Sequence, residues 1–214
     1  EKTARAAFDA MLVGASAEAM NTADDASNGD AYWSSTESET DASMAYFVRF
    51  GKFLVEPIAK SSTSRYTRCV KVFGNYTYGP EPELPAPGEG GEQPDQPGEG
   101  GEGGENPTPD QPGDNPGGNV TVAVGDPWKE GDATVGIVFW IAEDGTSAKI
   151  VSLNRTATTI AWSTVGEEYL GAGSKSDGAA NTAALKASSQ AADIPMLAFC
   201  ANLGEGWYWP ACLE

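Results

Sequence analysis

Residues 134–153 read TVGIVFWIA-EDGT-SAKIVSL, and this stretch decides the fold of the second half of the chain. Two apolar segments, 134–142 and 147–153, flank the residues EDGT, a composition typical of the turn in a β-hairpin. Two adjacent antiparallel strands are therefore predicted. Around this hairpin the sequence predicts strands at 120–124 and 159–163, a helix at 181–190, and a second helix from about Pro195 to just before Gly204.

The first part of the chain has the same mixture of elements. Ala4, Phe8, Met11 and Leu12 recur at helical spacing, which predicts a helix near the start. Turn-forming residues separate several short alternating segments beyond it. Strands are predicted at 32–33, 45–50, 53–56 and 65–73, so the expected fold class is α+β.

A segment of very different composition joins these two parts. Residues 79–119 contain 12 glycines, 10 prolines and 10 carboxylates, with no lysine, arginine or aromatic residue. Such a segment buries too little apolar surface to offset the entropy of ordering it. We therefore predict a first block at 1–78, a flexible acidic Pro/Gly-rich linker at 79–119 and a second block at 120–214.

The charge of the chain limits its function. It has 13 basic and 31 acidic residues, a net charge of −18, and no histidine. A chain without a basic cluster is a poor ligand for nucleic acids or anionic membranes, and no apolar run is long enough to span a membrane. Without histidine, Ser-His-Asp and Cys-His catalysis is excluded. The acidic stretch 24–30 resembles a calcium loop only faintly, because Ala26 occupies a ligand position and Ser35 stands where the closing Glu should be. Carboxylate or lysine catalysis stays possible in principle, but no metal, cofactor or enzymatic activity is expected.

The ends of the sequence suggest a piece of a longer protein. The chain begins at Glu1 without a signal peptide and ends at Glu214, directly after an aromatic cluster. Neither block repeats the other, and each is small for an independent core. The blocks are therefore expected to be complementary halves.

Both blocks resemble a known family. The second block, with VGIVFWIAEDGTSAKIVSLNRTATTIAWST, SDGAANTAALKASS and FCANLGEGWYWPA, resembles the opening half of a FISUMP domain, also called the Lcl-type or major-paralogous domain of bacterial surface proteins. The first block, with DAYWSSTESETDASMAYFVRF and the closing RCVKVF, resembles the second half of that domain. YWSSTE and GWYxP are the most specific motifs, and Trp209 replaces the usual leucine.

The halves stand in inverted order relative to the family. The simplest interpretation is the tail of one domain, a linker and the head of the next, cut from a tandem array; a circular permutant is the alternative. The resemblance implies a C-type-lectin-like fold with short twisted antiparallel sheets and two to three helices. Closing a 41-residue loop costs only about 3 kcal/mol, so the two blocks are expected to dock.

The resemblance also implies a function and a location. It indicates a non-enzymatic binding or adhesion module at a bacterial cell surface, with an unknown extracellular protein or glycan and neighbouring copies of the same domain as partners. The alternative is a structural spacer that has no ligand of its own. Calcium-dependent sugar binding is not expected, because no WND tripeptide is present.

Several individual residues gain an expected role from the resemblance. It implies that Cys69 and Cys200 form a disulfide or lie in contact, with buried free thiols as the alternative, whereas Cys212 has no obvious partner. Lys60 and Arg68 match basic positions of the family, and a structural ion pair is expected there. The tryptophans Trp33, Trp140, Trp162, Trp207 and Trp209 are interpreted as core, and Trp128 as the one more exposed.

A recognition surface is predicted in the segment 37–66. Strand alternation places Phe47 and Arg49 on one face, taken as exposed, and Tyr46, Val48 and Phe50 on the other, taken as core. Exposed aromatic and arginine side chains are typical of binding surfaces; shielding of the sheet is the alternative role. The predicted surface consists of Glu39, Asp41, Phe47, Arg49, Phe53, Arg65 and Tyr66.

Overall fold

The computed structural model describes residues 31–49, 54–74, 76, 78, 81, 122–166 and 168–214. The helix expected near the start, the acidic stretch 24–30, Phe50, Phe53 and nearly all of the linker lie outside these residues. Seven strands and two α-helices form the described part. They are β1 (Ala31–Glu37), β2 (Met44–Arg49), β3 (Leu54–Ala59), β4 (Val70–Gly74), β5 (Pro127–Glu130), β6 (Ala133–Ile141), β7 (Ser147–Ser152), α1 (Gly178–Ala187) and α2 (Pro195–Asn202).

The strands form two antiparallel sheets, so the fold is α+β as predicted. One sheet has the order β1-β2-β3 and the other the order β4-β7-β6-β5. The first block supplies β4, which pairs with β7 from Val70 opposite Val151 to Gly74 opposite Ser147. The expected docking of the two blocks is therefore confirmed, because they share a sheet.

The predicted hairpin is present and becomes β6 and β7. The Thr146 amide donates to Asp144 Oδ1 over 2.9 Å, and Gly145 takes a φ of 67°, which favours glycine. Every residue of β7 is buried. It is the inner strand between β4 and β6, and other parts of the chain cover both of its faces.

Two predicted strands of the second block are wrong. Residues 122–124 are not in a strand: the Asp126 carboxylate accepts the Ala123 amide over 2.8 Å and closes a turn, so the strand starts only at Pro127. The segment 159–163 makes a single bridge, between Ile160 and Arg65. Local apolar character predicted strands at both places, but a strand also needs a partner of matching length.

The two helices lie close to their predicted positions. α1 begins three residues before the predicted start, because the Asp177 side chain caps it by accepting the Ala180 amide over 2.7 Å. It ends at Ala187, and the following Ser188 caps the last turn. α2 starts at Pro195, where a proline needs no amide partner, and ends at Asn202.

The core lies where β1 meets the second block. β1 is buried throughout although only β2 flanks it in its own sheet. On its other edge the amides of Ser35 and Glu37 donate to the carbonyls of Pro210 (2.8 Å) and Ala172 (2.7 Å). Tyr66 of the first block also accepts the Trp33 amide on this edge, over 2.9 Å, so residues of both blocks bond to the free edge of β1.

Candidate ligand-binding surface

The YWSSTE motif, at residues 32–37, serves the interior of the protein. The indole N–H groups of Trp162 and Trp209 donate to the carbonyls of Ser34 and Trp33 over 2.8 Å and 3.0 Å. Thr36 donates to the Ser174 carbonyl over 2.8 Å. These contacts join the motif to the second block through two backbone carbonyls and the Thr36 hydroxyl.

The last residue of this motif, Glu37, belongs to a fully buried ion pair. Lys60 Nζ lies 2.5 Å from Glu37 Oε1, and neither side chain is exposed. The Glu37 carboxylate also accepts the amides of Leu170 and Ala172, each over 2.9 Å. The structural ion pair expected for Lys60 is therefore present. Arg68 is buried too, and it donates to the carbonyls of Ser152 (2.9 Å) and Leu153 (2.5 Å).

The tryptophans are largely core, as predicted. Four of the five assigned to the core are at most 3% exposed: Trp33, Trp162, Trp207 and Trp209. The fifth, Trp140, is only partly buried. Trp128 was predicted to be exposed, and this was wrong: it is 5% exposed, because it packs on Phe73 with ring centroids 3.9 Å apart. Phe73 belongs to the first block, so the residues next to Trp128 in sequence do not reveal that Trp128 is buried.

The assignment of the two faces of β2 was also wrong. Phe47 is 2% exposed and shares the inward face with Ala45, and its ring meets Trp33 edge-on at 6.3 Å. Tyr46 and Val48, predicted to be core, are only partly buried. Alternation puts Phe47 and Arg49 on one face, but it does not say which face the rest of the molecule covers. Phe47 is therefore not an exposed contact residue.

The predicted surface residues divide between the two ends of β2. Glu39 and Asp41 are exposed on the loop between β1 and β2. The Ser43 hydroxyl and amide donate to Asp41 over 2.7 Å and 3.0 Å, and these bonds lower the pKa of Asp41. Arg49 ends β2, opposite Ala31 at the start of β1. The loop carboxylates thus form no common patch with Arg49.

At the Arg49 end, guanidinium groups stack on aromatic rings. Arg65 lies 4.0 Å and Arg49 5.5 Å from the centroid of the Phe47 ring. Arg155 lies 3.6 Å from the centroid of Tyr66, which in turn neighbours Tyr32 at 6.3 Å. The two groups lie at the same end of the first sheet but on different faces, because Tyr32 is opposite Val48 and Trp33 is opposite Phe47. We call the residues of both groups together the arginine–aromatic surface: Phe47, Arg49, Glu56, Arg65, Tyr66 and Arg155.

The members of this surface differ in exposure. Arg65 is 3% exposed, whereas Tyr66 and Arg155 are partly buried. The Arg49 side chain is 24% exposed and pairs with Glu56 over 3.8 Å. At this distance and exposure the pair adds little stability. Arg49, Tyr66, Arg155 and Glu56, whose side chain is 46% exposed, are therefore the members that a ligand can reach.

Sequence reasoning missed Arg155. It follows β7 in a loop of the second block, far in sequence from the segment in which the surface was sought. The chain has only five arginines, and three of them lie against aromatic rings, Arg49 and Arg65 against Phe47 and Arg155 against Tyr66. Of the seven predicted residues, the structure brings together Phe47, Arg49 and Arg65 and places Tyr66 with Tyr32 and Arg155. It separates Glu39 and Asp41 from them and does not describe Phe53.

The cysteines have distinct environments. Cys69 and Cys200 form a disulfide that links the residue before β4 to α2, with Cα atoms 5.7 Å apart. Cys212 carries a free thiol and is 4% exposed. Burial raises the pKa of Cys212 to about 11, so the thiol stays protonated at neutral pH.

A second polar cluster surrounds the side chain of Glu214. Its Oε1 accepts Lys149 Nζ over 2.9 Å and the Tyr208 hydroxyl over 2.7 Å. Its Oε2 accepts the amides of Gly178 (3.0 Å) and Ala211 (3.2 Å). Burial and the neighbouring carboxylate raise the pKa of Tyr208. This carboxylate is fully satisfied and ties α1 to the end of the described chain.

In the ranges that the structure describes, no three or more Cys, Asp or Glu side chains are grouped so as to hold a metal ion. Among the same residues, no helix has the length and apolar character that crossing a membrane requires.

Comparison with known proteins gave no relative. No family model, no curated protein and no solved structure matches the chain.

Proposed function

We propose that the chain is a non-enzymatic extracellular binding module with a C-type-lectin-like fold of the FISUMP type, displayed at a bacterial cell surface. Its ligand is a protein or glycan that contacts the arginine–aromatic surface, and neighbouring copies of the domain flank it in a tandem array. In this proposal the first block is the closing half of one domain and the second block is the opening half of the next.

One observation carries the proposal. In a chain of net charge −18, three of five arginines gather on aromatic rings at one end of the first sheet. A guanidinium held against a ring keeps a fixed orientation, and its planar fork matches carboxylate or phosphate acceptors of a ligand. Arginine and tyrosine are also enriched where binding energy concentrates.

The disulfide supports the extracellular location. Disulfides persist in oxidising compartments and are rare where thiols are kept reduced. The Cys69–Cys200 bond joins the start of a strand to a helix, the pairing that the family resemblance implied. The same contact supports the lectin-like fold.

Screening against glycan and extracellular-protein arrays tests this function. The wild-type chain should retain a ligand, and the double variant Arg49→Ala, Arg155→Ala should weaken binding at least tenfold, about 1.4 kcal/mol. Lys186→Ala, at an exposed position of α1, is the matched control and should bind like wild type. Phe47→Ala is unsuitable, because it would disturb the core.

A structural spacer is the second candidate. This role is favoured because residues of the arginine–aromatic surface make contacts within the protein itself. Phe47 and Arg65 are buried, and Arg49 already pairs with Glu56. A folded chain that retains no ligand in either array would favour the spacer. Binding that survives in the double variant would show that the ligand site lies elsewhere.

A further inference from the structure

The segment that follows β4 returns to the second block. Its described residues are Tyr76, Tyr78 and Glu81. The Tyr76 ring meets Trp140 edge-on at 5.1 Å and Tyr78 edge-on at 4.7 Å. Tyr78 extends further, and its hydroxyl lies 3.1 Å from that of Tyr208. The two tyrosines therefore lie against aromatic side chains of the second block, and we call the surface that they contact the groove.

A buried cation forms the floor of this groove. Lys149 of β7 is 5% exposed. Its ammonium lies 4.4 Å from the ring centroid of Tyr76 and 5.2 Å from that of Tyr78. Cation–π contacts strengthen when the cation is removed from water. Lys149 therefore favours aromatic side chains at these two positions.

The far end of the groove binds a carboxylate. Glu81 accepts the backbone amide of Lys175 in a short contact, the amide of Ser176 over 3.2 Å and the Ser174 hydroxyl over 3.1 Å. These donors precede the N-terminus of α1, where the helix dipole also favours an anion.

The carboxylate site is held in place from inside the protein. Asn181 is 2% exposed, and its side chain accepts the Ser174 amide over 3.0 Å and donates to the Ser174 carbonyl over 2.7 Å. Thr36 donates to the same carbonyl. The loop 174–176 therefore has structural support that does not depend on Glu81.

We propose that this groove is a docking site for a peptide of the pattern Tyr-x-Tyr-x-x-Glu, and that Tyr76, Tyr78 and Glu81 of the chain are its resident occupants. The Tyr76 and Tyr78 rings both lie within 5.2 Å of the Lys149 ammonium. The carboxylate three positions later reaches the loop 174–176. The groove shares no residue with the arginine–aromatic surface, so the two proposals stand independently.

A peptide supplied in trans tests the site. We would remove the resident contacts with Tyr76→Ser, Tyr78→Ser and Glu81→Gln and titrate this chain with a fluorescent GNYTYGPEPE peptide, the sequence of residues 74–83. The peptide should bind this variant at least tenfold more tightly than the wild-type chain. In the wild type the tethered segment competes at an effective concentration of the order of millimolar.

Matched changes identify the contacts. In the triple variant, an added Lys149→Met should abolish peptide binding, whereas Lys186→Ala should leave it unchanged. A peptide with glutamine at the position of Glu81 should bind at least tenfold more weakly than the original peptide. Absence of peptide binding to a folded triple variant would overturn the proposal.

A second measurement covers the case in which the triple variant does not fold. Amide hydrogen exchange is compared between wild type and the single variant Glu81→Gln. The amides of Lys175 and Ser176 should exchange at least tenfold faster in the variant, while those of β7 stay unchanged. Equal exchange of these two amides in both proteins would also overturn the proposal.

Discussion

Lys60 and Glu37 meet in a buried ion pair at the junction of the two blocks. Lys60 lies between the Glu37 carboxylate and the Glu168 carbonyl, 2.7 Å away, and its ammonium also lies 4.8 Å from the Trp162 ring. Removing one partner of a buried pair leaves the other charge without compensation, which costs more than the intact pair contributes.

Lys60→Met should therefore lower the free energy of unfolding by about 3–5 kcal/mol. Urea denaturation followed by tryptophan fluorescence measures the change. Lys186→Met removes a lysine from an exposed position of α1 and should change stability by no more than about 0.5 kcal/mol. Equal effects of the two substitutions would contradict the importance of the pair.

Cys212 makes the free energy of unfolding depend on pH in the alkaline range. Burial raises the pKa of its thiol from 9.0 to about 11 in the folded state. The folded protein therefore holds this proton more tightly than the unfolded chain, and the resulting stabilisation is complete below pH 9 and is lost as pH rises towards 11. Each pH unit within that window should lower the free energy of unfolding by about 1.4 kcal/mol.

Urea denaturation at several pH values checks this dependence. Cys212→Ala should flatten the slope between pH 9 and 10. Above pH 10 both proteins should lose stability, because burial also raises the pKa values of Tyr78 and Tyr208. A slope between pH 9 and 10 that is unchanged in the variant would exclude Cys212 as its source.

At the scale of elements, β6 depends on the absence of a side chain at Gly136. A methyl group there would lie 2.7 Å from the Val151 carbonyl oxygen and 3.2 Å from the Trp207 ring, and it would also clash with Ile150. The backbone of β7 cannot move away, because β4 pairs with it on the other side.

Gly136→Ala should thus destabilise the protein by about 1–3 kcal/mol through overpacking. Chemical denaturation gives the value. Ala133→Val also enlarges a side chain of β6, but at an exposed position, and should be nearly neutral. A neutral Gly136→Ala would mean that the two strands are less closely packed than described.

For the molecule as a whole, the disulfide is a covalent link between the blocks. It joins residues separated by 131 positions, so it restricts a very long loop of the unfolded chain. The loop-entropy model gives about 5 kcal/mol of stabilisation for this separation, although strain and residual structure reduce such values.

The Cys69→Ser, Cys200→Ser variant should therefore unfold at a clearly lower temperature than the oxidised wild-type chain. Calorimetry with and without reductant measures the unfolding temperature of both proteins. Reductant should lower this temperature only in the wild-type chain. The same experiment tests cooperativity: since β4 shares a sheet with β5–β7, the oxidised chain should show one transition for both blocks. Two separate transitions would mean that the blocks fold independently.

The sequence by itself determined those strands and helices that carry their own turn or capping residues. The β6–β7 hairpin carries its own turn residues, and α1 and α2 carry caps or a proline at their first turns. Their existence and approximate bounds could be read from residues 134–153 and 178–202. The composition of residues 79–119 likewise separates the chain into blocks.

Tertiary structure alone decided which faces are covered. Alternation along β2 places Phe47 and Arg49 on the same face of the strand. Only the packing of Phe47 against Trp33 and Arg65 makes that face the inner one. Arg155 joins Tyr66 across the two blocks, and Trp128 is buried by Phe73 in the same way. The physical reason is common to all three cases: burial depends on a partner distant in sequence, and a local pattern carries no information about that partner.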